Sequence, residues 1–344
     1  MIRIKAGGRV AAFALPATWG AVAVTYKFVC PLAQQDGLGA RIASSALFFA
    51  VGTGLIAGVR RALLRELAQV REIARAAQRA LLRPLPPRID GLAVAAGQLS
   101  AHRGADVGGD LYEAVATDHG VRVVMGDVRG HGLAPIGTVA AVLGSFREAA
   151  HDEGELAGVL RRLERALGRH VGAGEGADGE EFVTVLLLEI RVDGSVFALN
   201  CGHPWPYRLG RGPHAGAGGA GVERVPGGEP LPPLGPFPLP EVLPARYCGR
   251  ILPGEVLLLH TDGVEDARDT AGRFFPLDRA LAEAAGARTP DPDALVGALQ
   301  GALQRHTRGR SGDDMALLAL RNDRHRVPQQ GAAVSVKFRA PTSS

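Results

Sequence analysis

The chain has 344 residues, room for one domain of ordinary size with an appendage, and its 46% hydrophobic content is globular or mildly membrane-like. A formal net charge of +4 is too small to argue for nucleic acid, and no nucleic-acid partner is expected. The three cysteines, Cys30, Cys201 and Cys248, have no CxxC spacing, which argues against a zinc site or a disulfide framework and fits a reducing compartment.

In chain order, Val10–Tyr26 is apolar and is followed by Lys27, Phe28 and Val29; with Lys27 reaching back to the interface, the run is just long enough to span a bilayer. A second apolar run, Ile42–Val59, ends in Arg60 and Arg61, and Gln34, Gln35, Asp36 and Gly37 make a polar turn between the two. Residues 1–61 therefore read as a transmembrane hairpin, with spans at about 10–29 and 42–59. Arg3, Lys5 and Arg9 precede the first span and Arg60, Arg61 and Arg65 follow the second, so the positive-inside rule places both ends in the cytoplasm of a multi-pass protein of the cell membrane. Two other readings stay open. Ala21-Val22-Ala23 after a basic start resembles a cleavable leader, and both runs are short enough for a buried core hairpin.

From Leu63 the apolar positions become Leu63, Leu67, Val70, Ala74, Ala77 and Leu81, steps of four and three with Arg, Glu and Gln between them. This seam fits a juxtamembrane helix that forms a homodimer through residues 63–81, and equally a single amphipathic helix packed on its own domain. Pro84, Pro86 and Pro87 end the helix, so residues 62–87 form a helix with a proline-rich linker.

Residues 88–322 read as one α+β domain. Leu92–Leu99, Leu111–Thr117 and Val121–Asp127 are predicted strands, followed by helices at Ile136–His151 and Glu155–His170. Phe182–Val192 and Ser195–Cys201 return to strand around the hairpin signal Asp193-Gly194. Arg211–Pro240, rich in glycine and proline, reads as a mobile loop or lid. A strand running to Asp262, helices at Leu277–Ala285 and Pro292–Arg308 and a last strand within Gly312–Leu320 complete the domain. Strands, helix pair, strands, helix pair, strand implies two packed sheets with helices outside, and the missing βαβ alternation argues against a Rossmann-type domain. The tail, 323–344, is polar and reads as disordered.

Four stretches put carboxylates at strand ends: VGGD at Val107–Asp110, the apolar run closing on Asp127, the run closing on Asp262 and Gly263, and the pair Asp313-Asp314 opening the last strand. A single Asp in such a place is usually a turn residue or a helix cap. Four such stretches converging would repel one another unless cations neutralised them, and all-oxygen ligation suits Mg²⁺ or Mn²⁺. Two such ions sharing a water would lower its pKa and direct it at phosphorus, hydrolysing a phosphate ester without a phosphoenzyme.

VGGDLYEA at Val107–Ala114, GDVRGHGLAP at Gly126–Pro135, NCGHPWP at Asn200–Pro206, LPPLG at Leu231–Gly235, LLLHTDGVEDA at Leu257–Ala267 and SGDDMALLAL at Ser311–Leu320 together resemble the metal-dependent PPM-type serine/threonine phosphatases, and more closely their SpoIIE-like bacterial branch. The resemblance covers nearly all of Gly91–Arg321. It implies an αββα sandwich, two mainly antiparallel sheets flanked by helix pairs, with two Mn²⁺ or Mg²⁺ ions between the sheets. It further implies hydrolysis of phosphoserine or phosphothreonine on a regulatory protein, an anti-sigma-factor antagonist being the expected partner.

Carried over by position, the resemblance makes Asp110, Asp127 and the Val128 backbone carbonyl the metal ligands of the N-terminal half and Asp262 and Asp313 those of the C-terminal half. Asp314 orients a partner, and Gly109 and Gly263 keep the metal floor open. His131 is a candidate acid toward the leaving oxygen, with Asp127 in the catalytic set. Arg103 and Arg129 are candidates for holding the substrate phosphate, since a guanidinium pairs two phosphate oxygens. Arg129 stands where this branch often has a small residue. Two rival classes are a catalytically inactive membrane scaffold of the same fold, and a metal-dependent nucleotide enzyme, against which the absence of a P-loop argues.

Overall fold

Between Leu38 and Leu81 the chain contains no proline and is dominated by Ala, Leu, Arg and Gly, and it forms one unbroken 44-residue helix, α1. The second expected span and the juxtamembrane helix are thus a single element, because nothing between Val59 and Arg65 interrupts the hydrogen-bond ladder. The computed structural model describes residues 18–26, 28–29, 37–99, 108–129, 134–172, 182–210, 221–286, 291–309 and 312–324, and it divides into two units at Ile73 and Ala74.

In the N-terminal unit, residues 18–26 and 28–29 are helical. The rings of Trp19 and Tyr26 each lie 5.4 Å from that of Phe48, and the Trp19 indole N–H donates to the Phe48 carbonyl at 3.2 Å. Residues 10–17 and 27 of the first expected span lie outside the described residues. Among the described residues, one helical stretch, Ile42–Gln69 within α1, is long and apolar enough to cross a membrane, and none of its most apolar window is buried.

Among the described residues the second unit holds eleven strands and five further helices: β1 (Arg88–Ile89), β2 (Leu92–Leu99), β3 (Asp110–Thr117), β4 (Gly120–Val128), α2 (Ala134–Asp152), α3 (Leu156–Gly172), β5 (Val183–Ile190), β6 (Ser195–Cys201), β7 (Tyr207–Gly210), β8 (Gly221–Arg224), β9 (Arg246–Arg250), β10 (Val256–His260), α4 (Asp262–Asp266), α5 (Leu277–Ala285), α6 (Pro292–Thr307) and β11 (Met315–Asn322). They form a six-stranded sheet, β1-β2-β11-β10-β7-β8, and a five-stranded sheet, β3-β4-β5-β6-β9, with every paired neighbour antiparallel. The expected pair of antiparallel sheets is therefore present.

Period-two alternation sorts the side chains into three layers. Val121, Val123, Met125, Leu186, Leu188, Leu257, Leu259, Leu318 and Leu320 fill the space between the sheets. Val124, Val128, Val185 and Leu187 face the other way, onto Phe146, Leu160 and Leu163 of α2 and α3. Leu258 and Leu317 do the same onto Leu281, Leu295 and Leu299 of α5 and α6. Covering both faces of each sheet explains why the strands read as continuous apolar runs although none is parallel.

Three expectations need correction. Arg211–Pro240 is no free lid from Gly221 onward: β8 pairs with β7, and the Leu231 and Leu234 amides donate to Asn200 and Val183 carbonyls at 2.8 and 2.9 Å. Its residues 211–220 lie outside the described residues. Four short strands, β1, β7, β8 and β9, were not anticipated. The first two residues of the expected tail are tied to the domain: the Asp323 amide donates to the Gly91 carbonyl at 3.0 Å, and the Arg324 guanidinium binds Asp90 at 2.8 Å. Residues 325–344 lie outside the described residues.

Candidate functional site

Strand register builds half of the site. Asp110 of β3 stands directly opposite Asp127 of β4, and Asp127 stands opposite Thr184 of β5. Counting in steps of two from Met125, from Tyr112 and from Leu186, all in the inter-sheet layer, turns Asp127, Asp110 and Thr184 toward that layer as well. The three make a lateral row at one end of the five-stranded sheet. The Asp127 amide donates to Thr184 Oγ1 at 3.2 Å, and the Val128 amide donates to the Gly109 carbonyl at 3.1 Å, which holds the VGGD turn against the end of β4.

The facing sheet supplies the other half. Thr261 follows β10, and its hydroxyl donates across the sheets to Asp110 Oδ2 at 3.2 Å while accepting the Ala316 amide at 2.9 Å. Asp262 opens α4 directly afterwards, and the loop before β11 brings Asp313 and Asp314, with the Asp314 amide donating to Asp313 Oδ1 at 2.8 Å.

These carboxylates influence one another strongly. Asp110, 3% exposed, is held well above the usual carboxylate range, first by burial, then by the charges of Asp127 and Asp314, with Asp262 adding to them and the Thr261 hydroxyl opposing. Asp127 is pushed up to about 7 by burial and then by Asp262, Asp313 and Asp314. Burial and Asp313 raise Asp262. The couplings join all five acids across the gap between the sheets, although among the described residues no three such side chains are already drawn into a closed coordination group. A cluster of this kind is destabilising unless positive charge offsets it. The donors are all carboxylate and carbonyl oxygens, the chemistry that suits Mg²⁺ or Mn²⁺ rather than zinc.

Glycine makes the approach possible. A Cβ at Gly109 would collide with the Val128 carbonyl and crowd the Asp127 carboxylate, a Cβ at Gly263 would collide with the Asp314 carbonyl, and one at Gly108 with the Asp314 carboxylate.

The family model for Stage II sporulation protein E (SpoIIE) matches residues 117–323, more than half of the chain. The chain belongs to the SpoIIE family. Among solved structures it is similar to the RsbU and RsbW domains of Rv1364c from Mycobacterium tuberculosis, with 24% identity and a TM-score of 0.52 over 68% of this chain and 60% of that one. It is also similar to the SiaA-PP2C domain of Pseudomonas aeruginosa, with 16% identity and a TM-score of 0.55 over 77% of this chain and 98% of that one. At these identities the likeness establishes the PP2C-type fold, and the chain spans less than two thirds of the Mycobacterium protein's structure. No curated protein sequence matches it.

Within this SpoIIE-family domain, the expected site residues Gly109, Asp110, Asp127, Val128, Asp262, Gly263, Asp313 and Asp314 lie at one end of the two sheets. Arg129 is next to them in sequence and donates its amide to the Phe182 carbonyl at 3.0 Å; its guanidinium carbon sits 5.2 Å from the centre of the Phe182 ring. His131 and Arg103 lie outside the described residues. Sequence reasoning missed Thr184 and Thr261, and it gave His203 of the GHPWP stretch no role. His203 is buried, its Nδ1 lies 3.0 Å from Thr184 Oγ1, and the Asn200 side chain clamps its backbone by bonds of 2.8 Å to both its amide and its carbonyl. A polar residue repeated in motif stretches at two strand ends, His203 after β6 and His260 before Asp262, was the available signal.

Proposed function

We propose that the chain is a membrane-anchored, metal-dependent protein serine/threonine phosphatase. The observation that carries this reading is the set of five mutually coupled carboxylates at the ends of two facing sheets in a SpoIIE-family domain. Asp110, Asp127 and the Val128 carbonyl would hold one side of a two-cation centre, Asp262 and Asp313 the other. When bound, the two Mn²⁺ or Mg²⁺ ions supply positive charge and activate a water for in-line attack at phosphorus.

The chain's own groups do the remaining work. Asp314 orients its neighbours in the loop before β11, and Thr261 fixes the Asp110 carboxylate by a hydroxyl bond. Gly109 and Gly263 leave room for the oxygens to converge. Arg129 offers a guanidinium to the substrate phosphate in company with Arg103, and His131 would protonate the leaving serine oxygen. The substrate in this proposal is a phosphoserine or phosphothreonine on a small regulatory protein, an anti-sigma-factor antagonist, a partner that rests on the family alone. The hairpin 1–61 anchors the chain with the domain 88–322 on the cytoplasmic side, and residues 63–81 supply a dimer contact through which the juxtamembrane helix regulates turnover; full activity in a dimer-breaking Leu67→Arg/Val70→Arg variant would remove that last element.

The test is Mn²⁺-dependent release of phosphate from a phosphoserine peptide by the full chain, beside Asp127→Ala and Asp262→Ala. Hydrolysis lost with chelator and reduced about 10³-fold or more in both variants is expected when two residues of one centre act as a unit. A folded chain that binds Mn²⁺ yet releases no phosphate would instead support the inactive scaffold.

A further inference from the structure

A threonine at the N-cap of a helix ordinarily accepts an amide of the first turn through its hydroxyl. Thr261 stands at that position before α4, with extended backbone (φ −83°, ψ 160°), and its side chain makes no capping bond. The way β10 ends explains the difference. The register of β10 with β11 closes at His260 opposite Leu317. One residue further on, the Thr261 amide still donates to the Ala316 carbonyl at 3.2 Å, but the Thr261 carbonyl has turned toward α4 and accepts the Val264 amide at 3.1 Å. The Ala316 amide therefore loses the backbone acceptor that an antiparallel pair would supply. The Thr261 hydroxyl takes the place of that carbonyl and accepts the amide at 2.9 Å.

A hydroxyl that has accepted an N–H still has one proton to give, and Thr261 is wholly buried, where such a proton needs a partner. It goes to Asp110 Oδ2, 3.2 Å away on the facing sheet. The Ala316 amide thus fixes the hydroxyl rotor, and the rotor aims at the carboxylate.

We propose that Thr261 is a positioning residue whose single hydroxyl holds three of the four carboxylate stretches in register with one another, and so sets the spacing of both cation positions. One bond reaches Asp110 on the five-stranded sheet. The other reaches Ala316, two residues beyond Asp314, and steadies the start of β11. The backbone of Thr261 itself runs directly into Asp262. With Oδ2 engaged by the hydroxyl, Asp110 has Oδ1 left for a cation. Losing the hydroxyl should loosen both sides of the centre together, Asp110 on one and Asp262 with Asp313 on the other, which fixing Asp110 alone would not do. Thr261 acts only through these carboxylates. The inference rests on the metal-phosphatase reading for its purpose, and on hydrogen-bond geometry alone for its contacts.

Two measurements on the full chain test it. The first is urea unfolding in chelator of wild type, Thr261→Val, Asp110→Ala and the double variant. Valine keeps the shape of threonine without the hydroxyl; the stranded Ala316 amide is common to both backgrounds and cancels in the comparison. Thr261→Val should lower the midpoint clearly less in the Asp110→Ala background than in wild type, since both changes then break one bond. Equal shifts in the two backgrounds overturn the contact, whatever the chain binds. The second is calorimetric titration with Mn²⁺ of wild type, Thr261→Val and Thr261→Ser, with thermal unfolding of each as a control for folding. Partners behind a metal ligand typically govern about 10- to 100-fold in affinity. A loss of that size at both cation positions is expected in Thr261→Val, and Thr261→Ser, which keeps the hydroxyl, should regain most of it. Affinities within about twofold of wild type in a folded Thr261→Val, a loss at one position only, or a serine variant no better than the valine one would overturn the proposal. A wild type that binds no Mn²⁺ overturns the metal reading, and with it the purpose given to Thr261, while the unfolding comparison still decides the contact. Should Thr261→Val fail to fold, Thr261→Ala replaces it in both measurements.

Discussion

At the scale of single residues, the five acids should leave a signature in stability. Asp127 titrates near 7 in the folded chain against 3.8 as an ordinary side chain, and Asp110 and Asp262 are raised as well. The folded state therefore holds more protons than the unfolded one over this range, so the contribution is fully present below about pH 4 and is lost as pH rises through about 7. Without divalent cations the chain should become less stable from about pH 4 to about pH 8. Asp127→Asn removes one of the charges, so it should match wild type near pH 4 and exceed it by roughly 1–3 kcal/mol near pH 8, a figure below the full shift because neighbouring carboxylates share it. Urea midpoints measured in chelator at both pH values provide the check, and parallel profiles for the two proteins would count against the cluster. Adding Mn²⁺ should then raise the wild-type midpoint and leave the variant's nearly unmoved.

At the scale of elements, one buried ion pair joins helices to sheet. Arg122 of β4, wholly buried, faces α2 and α3 and gives two bonds to Glu189 Oε2 at 2.8 and 3.1 Å from the neighbouring β5. It also donates to the carbonyls of Ala150, Glu153 and Gly154, which closes the end of α2 and the turn into α3. Arg122→Met would leave a buried carboxylate with only Arg191 and three carbonyls with no donor from Arg122, a loss of about 3–5 kcal/mol. Arg122→Met/Glu189→Met should recover part of it. Chemical denaturation measures both, and a loss under about 1 kcal/mol would show that the pair is replaceable. The same scale explains what the sequence made legible. β4, β5, β10 and β11 announce themselves because both faces are covered and nearly every residue is apolar. β7, β8 and β9 do not, since each has only four or five residues and contains Gly or Arg, and β7 and β9 also owe pairing to β10 and β6, far along the chain. Pro and Gly suggested a lid around Leu231 and Leu234, yet the two leucines dock through amides that composition cannot reveal. The acids were readable because each ends or opens an apolar run. Thr184 and Thr261 were not, because a threonine in a strand or at its end acquires its role only from what the fold sets opposite it.

At the scale of the whole chain, α1 decides what the N-terminal residues can be. Forty-four helical residues rise about 66 Å at ~1.5 Å each, twice the ~30 Å of a bilayer's hydrocarbon. One end only can lie in lipid, and the sequence chooses it: the stretch from Ile42 is apolar and unburied, with Phe49 78% exposed, whereas arginines recur from Arg60 onward. Exposed phenylalanine on a helix of that hydropathy has two outlets, lipid or another protein surface. If the anchor proposal holds, the expressed full chain should stay with membranes through alkaline carbonate, with its C-terminal domain open to protease from the cytoplasmic side, and a chain starting at residue 62 should be released. Release of the full chain by carbonate would make the association peripheral. A mature N-terminus just beyond Ala23 would establish the leader reading and leave Ile42–Val59 as a single span that starts outside, which keeps the C-terminal domain on the cytoplasmic side. The side of the N-terminus therefore separates the readings without reference to activity: two crossings keep it in the cytoplasm with the domain, whereas cleavage and one crossing leave it outside while the domain stays cytoplasmic.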